Sequence, residues 1–449
     1  MSKQRIQLSD HFTYSRLLRF VLPCIGTMLF TSIYGIVDGL CVSNFVGKTA
    51  FAAVNLIMPL PQLLATIGFM LGTGGSAIVG ITLGEGDQKK ADRYFTLFLL
   101  AALISVSVLA VLGIVFLRPI AVLLGAKGEL LDYAVRYGRI LMVSLPTFAL
   151  QNMFQSFFVT AEKPHLGFWF TVGAGCTNMV LDVLMVGIWG WGVEGAAIAT
   201  FISQLVGGVL PVFYFIDRSN SSRLHLCKTS FYSKVLRDAC INGSSELMTN
   251  LSMSLVNILY NYQLLRLAGE NGVAAYGVIM YAAFLFVAVF VGYAVGSAPI
   301  VSFHYGARNH AEVHNLYRKS LRLIAVVAVT LTLASMFIIP CVARIFVGYD
   351  AELLALTSRA FRLYALSFLI MGFNVYASSF FTALGDGVTS ALISFLRTLA
   401  FQVIAILLLP LLLGIDGIWL AVTAAELAAL AVSAAMLLTK DKVFHYRKA

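Results

Sequence analysis

The sequence contains little charge. Only 12% of its 449 residues are Asp, Glu, Lys or Arg, whereas 59% are apolar. A chain of this composition does not have enough polar surface to dissolve as a globular protein. The composition therefore excludes a soluble globular protein and predicts an integral membrane protein.

The sequence also lacks the patterns of metal, redox and nucleotide sites. Its six cysteines are scattered and form no C-x-x-C pair, and its seven histidines show no metal-ligand spacing. Gly47-Lys48-Thr49 is not a phosphate-binding loop, because Val42 occupies the position where such a loop needs its first glycine. We therefore expect no enzyme activity and no cofactor. The energy for any transport would come from an ion gradient or a partner subunit.

Long charge-free runs recur along the whole chain. A spanning helix needs about 20 residues, and most of these runs are long enough. The alternating pattern of a transmembrane β-barrel is absent, so the spans should be helical. The predicted fold is an all-α integral membrane protein with twelve transmembrane helices. We place them at residues 16–41, 51–83, 93–117, 133–160, 165–189, 193–216, 236–267, 272–305, 317–343, 357–384, 387–413 and 416–438.

The positive charge follows a pattern along the chain. With both termini in the cytoplasm, 21 of the 31 Lys and Arg residues fall on the inner side, nine fall on the outer side, and Arg397 lies within a span. This is the positive-inside distribution of membrane proteins. We therefore expect a multi-pass protein of the cell (inner) membrane, embedded in the lipid bilayer with cytoplasmic termini. The net charge of +10 then reflects topology, and we expect no nucleic-acid partner.

The two halves of the chain resemble each other at a shift of about 222 residues, at which Gly74 recurs as Gly296 and Gly84 as Gly306. Each half contains six predicted helices, and an even number of spans gives both halves the same orientation. We therefore expect two six-helix lobes related by an axis along the membrane normal, able to alternate access to a central cleft. The predicted divisions are an N-lobe at 1–216, a cytoplasmic linker at 217–234 and a C-lobe at 235–449.

The first predicted helix contains an acid in an apolar setting. Residues 20–46 include Pro23 near one end and a single carboxylate, Asp38, deeper in. An ionised Asp within a span costs about 3 kcal/mol on insertion scales, so it needs a partner or a water-filled cavity. Asp38 is either a structural residue, bonded to a neighbouring helix or close to external water, or an ion-coupling carboxylate. Pro23 removes a backbone hydrogen bond and favours a bend.

The fifth predicted helix contains Asn178 and Asp182. Their spacing of four places the amide and the carboxylate on one face. Such a pair can bind a small cation or hold a proton on the carboxyl group, and a polar contact between helices is the alternative. Tyr137, Asn152 and Thr200 lie on the fourth and sixth helices, where interhelical hydrogen bonds would also explain polar side chains.

Three charged residues of the predicted C-lobe helices call for an explanation. Glu246 is near the start of the seventh helix, where it serves either a functional site or capping and snorkelling. Arg397 and Glu426 lie on the last two helices and are expected to form an ion pair with a structural role.

The chain is rich in side chains that suit a binding cleft for large apolar cations. It contains 33 Phe and 14 Met residues. Aromatic faces attract cations, and flexible methionines accommodate varied shapes. Alternatively, these side chains face lipid.

Four segments together resemble the multidrug and toxic compound extrusion (MATE) family over nearly the full chain. They are LPCIGTMLFTSIYGIVDGLCVSNFVGKTAFAAVNLIMPL, LGTGGSAIVGITLGEGD, NMVLDVLMVGIWGWGVEGAAIAT and GSAPIVSFHYGARN. The most specific features are the helix with Pro23 and Asp38 and the helix with Asn178 and Asp182.

The resemblance implies a twelve-helix, two-lobe antiporter that exports organic cations and amphipathic compounds in exchange for H⁺ or Na⁺. We also expect the protein to act as a monomer. It places Asp38, Asn178 and Asp182 at the family's first-lobe cation site, a possible Na⁺ site, with Asn152, Tyr137 and Thr200 as neighbours. Glu246 matches an acid that some Na⁺-coupled members use. The tenth helix here has no acid, however, so the second-lobe sodium site looks incomplete.

A flippase for lipid-linked saccharides is the alternative function. Such a protein would be expected to have more helices and an Arg-lined cleft for a pyrophosphate. In this sequence Arg397 is the only arginine that lies clearly inside a predicted span, and the spans contain acids instead.

Overall fold

The computed structural model describes residues 6–45, 48–348 and 350–447, except for the side chains at 36, 38–45 and 48. Every regular element within these ranges is a helix. The helices of the first half are α1 Tyr14–Phe45, α2 Lys48–Ile57, α3 Pro59–Gly84, α4 Gln88–Leu123, α5 Gly128–Thr160, α6 Pro164–Asp182, α7 Gly192–Gly208 and α8 Leu210–Ile216. A π-helical segment, Val183–Ile188, continues α6.

The second half begins with a very long helix that starts inside the predicted linker 217–234. The helices of this half are α9 Ser233–Gly306, α10 His310–Val347, α11 Ala351–Ala365, α12 Phe368–Ala383, α13 Gly387–Phe395, α14 Phe401–Leu413, α15 Ile415–Thr439 and the short α16 Asp441–Phe444. A second π-helical segment, Leu396–Ala400, joins α13 to α14.

These helices form the twelve predicted spans. By length and hydropathy, nine helices of the described chain can cross a membrane, and α11 with α12, bent by 46°, makes a tenth. The more charged α5 is another span, and α9, with 74 residues, contains two that meet at Gly269. Gly269 has φ 60° and ψ −151°, a backbone conformation accessible mainly to glycine, so the chain can reverse there.

Both ends of the described chain lie on one side of the bundle, which we call the basal side. The N-terminal segment contacts the turn between α5 and α6, the segment before α9 contacts the start of α4, and Lys440 pairs with Asp386 in the turn before α13 at 2.8 Å. The opposite side, with the turns after α4, α10 and α14, is the apical side.

The two halves meet through glycines that occupy equivalent positions in the repeat. A Cβ atom on Gly84 would lie 2.0 Å from the carbonyl oxygen of Phe303, and one on Gly306 would lie 2.1 Å from that of Ile81. Ile81 and Phe303 are 222 positions apart, as are Gly84 and Gly306, so each contact is the symmetry equivalent of the other. We call these contacts the glycine seal.

A second pair of contacts, farther from the basal ends, has the same symmetry. Gly74 lies against Gly243, and Gly296 lies against Val21, again with partners 222 positions apart. A glycine on at least one side of each contact permits the helices to approach this closely. The predicted arrangement, two six-helix lobes related by an axis along the membrane normal, is therefore confirmed.

The N-terminal segment bridges turns of both lobes on the basal side, which the sequence analysis did not predict. The backbone N–H of Leu8 donates to Oε1 of Glu162, after α5, at 2.9 Å, and that of Phe12 donates to Oε1 of Glu312, on α10, at 2.9 Å. Leu8 and Phe12 are fully buried. The chain segment before the first span is thus part of the packed structure.

The glycine seal predicts a position-specific effect of adding one methyl group. Gly306→Ala places its Cβ against the backbone of α3, and overpacking of this kind costs about 1–3 kcal/mol. We expect a lower thermal unfolding midpoint in detergent. Gly277→Ala on the same helix is the control, because no atom lies within 4 Å of its added Cβ and alanine favours the helix. Equal midpoints for the two variants would contradict the close approach.

Candidate functional site

The two polar residues of α6 are buried inside the first lobe. Asn178 is 2% exposed and Asp182 is fully buried. The π-helical segment Val183–Ile188 begins directly after Asp182, and such irregular turns are frequent at functional sites. The second lobe has its own π-helical segment in its corresponding fifth span. The fifth span of each lobe therefore departs from regular helix geometry.

Polar side chains on the neighbouring helices are also buried. Tyr137 and Asn152 on α5 are 1% and 4% exposed, and Thr200 on α7 is half-buried with its hydroxyl donating to the carbonyl of Ala196 at 3.0 Å. α6 packs against α1 and α7, and α5 packs against α7. The helices that carry these predicted site residues are therefore in contact.

Several buried polar atoms in this region have no hydrogen-bond partner among the described residues. They are Nδ2 of Asn178, Nδ2 of Asn152, Oε1 of Gln151, Oε1 of Gln155 and Oε1 of Gln204. A buried polar atom without a partner costs about 1–3 kcal/mol, so a cluster of them favours a region that holds water or an ion. Gln151, Gln155 and Gln204 extend the predicted set of polar residues.

Of the two predicted residues of α1, Pro23 has a described side chain and Asp38 does not. Pro23 is buried, and α1 continues through it as one helix, with the hydroxyl of Thr27 donating to the Pro23 carbonyl at 2.9 Å. The side chain of Asp38 lies outside the described residues. Its association with Asn178 and Asp182, and the bend at Pro23, stay predictions.

A cavity of about 310 Å³ lies mainly in the second lobe. Its walls come from α9, α11, α12, α15 and the segment 394–402, and Thr73, Ser76 and Ser156 contribute from the first lobe. On α3 the lining residues precede the glycine seal, which places the cavity on the apical side of the seal. We call it the C-lobe cavity.

The cavity wall combines aromatic and apolar side chains. The rings of Tyr260 and Tyr276 are stacked with centroids 4.9 Å apart, and the Tyr276 hydroxyl donates to Oδ1 of Asn257 at 2.7 Å. Tyr364, Met280, Phe284 and Met371 also line it. Such a wall suits the apolar body of a small organic molecule.

Glu426 is the most enclosed acid of the cavity, with 1% of its side chain exposed. Nη1 of Arg397 lies 3.4 Å from its Oε1, so the expected ion pair forms. Nδ2 of Asn374 donates to Oε2 of Glu426 at 2.7 Å, and the hydroxyl of Ser433 donates to Oδ1 of Asn374 at 2.9 Å. Asn374 was not singled out from the sequence, although a lone amide in an apolar helix is a usable signal.

Glu246 also lines the cavity. It is half-buried and lies well inside α9, so the interpretation as a helix cap is wrong. The backbone carbonyl oxygen of Glu246 accepts a hydrogen bond from the side-chain amide of Asn250 at 2.9 Å. Glu246 thus lines the same cavity as Arg397 and Glu426.

The comparisons with known proteins agree with this architecture. A family model described as MatE matches the chain twice, at residues 23–184 and 247–408, once in each half. The multidrug export protein MepA of Staphylococcus saprophyticus is 21% identical over 436 residues, covering 96% of this chain and 95% of that protein.

Solved structures match over the full chain. A crystal structure of MATE in complex with MaL6 has a TM-score of 0.91 at 22% identity, with both chains covered completely. An outward-facing conformation of a multidrug resistance MATE family transporter of the MOP superfamily also has a TM-score of 0.91 at 22% identity and full coverage. Because the family model covers most of the chain in two repeats, the protein belongs to the MatE family of multi-pass membrane transporters.

Proposed function

We propose that this protein is a secondary antiporter that exports organic cations and amphipathic compounds by alternating access, in exchange for H⁺ or Na⁺. The observation that carries the proposal is the C-lobe cavity, which joins acidic residues to an aromatic wall in the interior of a two-lobed transporter. Its volume falls within the range of small-molecule sites. Relatives over the full chain carry the name multidrug export protein.

The proposed coupling site is the first-lobe cluster of Asp38, Asn178 and Asp182, with Asn152, Tyr137 and Thr200 around it. The buried, unpartnered atoms of Asn178 and Asn152 support a region that takes up water or an ion. Binding of H⁺ or Na⁺ would neutralise carboxylates that are costly to hold in an apolar lobe. In the proposed cycle this neutralisation lets α1 bend near Pro23 and closes the substrate site, and release on the inner side resets it.

The proposed orientation places the basal side in the cytoplasm of the cell, with both termini there and the cavity accessible from outside. The excess of Lys and Arg on the basal turns supports it. The protein acts as a monomer in this proposal, because each chain contains both lobes. The cavity lining favours a cation over the pyrophosphate of a lipid-linked saccharide, since two of its three charged residues are acids.

The first test asks whether the buried acids drive exchange. Asp182→Asn and Asp38→Asn keep size and remove charge, so we expect folded proteins that no longer move a fluorescent cation against its gradient. Uptake of the dye into liposomes with purified protein measures this. Asp132→Asn is the matched control, since Asp132 is exposed on the apical part of α5. Wild-type uptake by either of the first two variants would refute the proposed coupling site.

The second test identifies the coupling ion. A pH gradient and a sodium gradient are imposed one at a time on the same liposomes, with the membrane potential clamped. We expect one gradient to drive dye accumulation, because a single site that exchanges a cation needs only its own ion. Accumulation that is independent of both gradients would contradict antiport.

A further inference from the structure

We propose that Arg397 limits the charge of the molecule that the C-lobe cavity accepts. Arg397 acts as a built-in counter-ion for Glu426, which leaves Glu246 for the ligand, so the cavity takes an organic molecule with a single positive charge. This inference rests on the proposed function in one respect, namely that the bound molecule is the transported substrate. The binding preference itself stands on the geometry of the cavity.

The charges of the described lining determine the preference. Three lining residues are of types that are charged at neutral pH in water: Glu246, Glu426 and Arg397. The guanidinium group stays protonated in proteins, whereas tyrosine hydroxyls are neutral near pH 7. With both acids ionised, the cavity therefore has a net charge of minus one.

The two acids differ in how their charge is satisfied. Glu426 receives Arg397 and the Asn374 amide, and its side chain is almost fully enclosed. Asn374 is itself fully buried and is oriented by Ser433, and its amide also donates to the Glu426 carbonyl at 2.9 Å. Glu426 is thus held by a buried network on α12 and α15 and is not available to a ligand.

Glu246 presents the opposite case. Its side chain is half-buried and lines the same cavity as Arg397. Arg397 remains tied to Glu426, and one monovalent ligand at Glu246 makes the cavity electrically neutral. Because unbalanced charge is costly away from water, neutrality is the favoured bound state.

A ligand with two positive charges would meet a penalty in this cavity. The second charge has no acid left to balance it and would share the space with the guanidinium group of Arg397. Repulsion of this kind discriminates between ligands of similar shape.

Ethidium and propidium provide the test, because they share a flat aromatic cation and differ by a second charged group on propidium. Equilibrium binding to the purified wild-type protein is measured by dye fluorescence, in buffer free of Na⁺. We expect ethidium to bind at least about tenfold more tightly than propidium, as a single uncompensated charge implies. Comparable affinities, or no binding of ethidium, would overturn the inference.

Variants at the ion pair test the role of Arg397 directly. Arg397→Met raises the negative charge of the cavity, so the preference should fall to about equal affinity or reverse toward propidium. Arg397→Met combined with Glu426→Gln restores a net charge of minus one and avoids an unpaired buried acid, and it should recover the preference for ethidium. Arg397→Lys should keep it. If the double variant does not recover the preference, or if Arg397→Lys loses it, the inference is wrong.

The same two dyes separate this inference from the exporter proposal. Binding with the expected preference but without gradient-driven movement in liposomes would leave the charge rule intact and refute export. Movement of both dyes with equal efficiency and equal affinity would refute the charge rule and leave export intact.

Discussion

The close approach of α3 and α9 at paired glycines is the constraint on which the arrangement of the lobes depends. Two helices can bring their backbones this close only where the contacting residue of at least one helix has no side chain, and Gly84 and Gly306 meet that condition at symmetric positions. Because the contact lies at the basal ends, it closes that side and leaves the cavity beyond it. A transporter that alternates access must separate α3 from α9 at the glycine seal. Because the two contacts of the seal are related by symmetry, one movement of the lobes can break or restore both.

Both lobes contain a buried acid within a membrane span. In the second lobe Glu426 has a guanidinium and an amide as direct partners, which offsets the cost of removing it from water. In the first lobe Asp182 is fully buried at the end of α6, one helical turn after Asn178 and directly before the π-helical segment. An acid in this setting is costly to keep ionised, which fits the coupling role proposed for this lobe.

The N-terminal segment and the turns between helices stabilise the basal side, although hydropathy alone identifies them only as connections between spans. Glu162 accepts from the Leu8 backbone and pairs with Arg223 of the segment before α9 at 2.6 Å, while Glu312 accepts from Phe12. Glu162 follows α5 in the first lobe, and Glu312 is in the first turn of α10 in the second lobe. The N-terminal segment therefore connects the two lobes. Hydrogen bonds to ionised groups are among the stronger ones in proteins. The seal between the lobes is therefore supported by polar contacts outside it.

The sequence by itself determined the helical class, the twelve spans and the twofold repeat, because hydropathy and glycine spacing are local properties that a bilayer enforces. It also identified Asp182, Arg397 and Glu426 as unusual, since an ionisable residue within a span is rare. The sequence also predicted the ion pair of Arg397 and Glu426, but only the tertiary structure decided that Asn374 binds Glu426 as well and that Glu246 lines the cavity, because such contacts depend on which helix faces meet. The same holds for Leu8 and Phe12, whose burial arises from neighbours more than a hundred residues away in the chain.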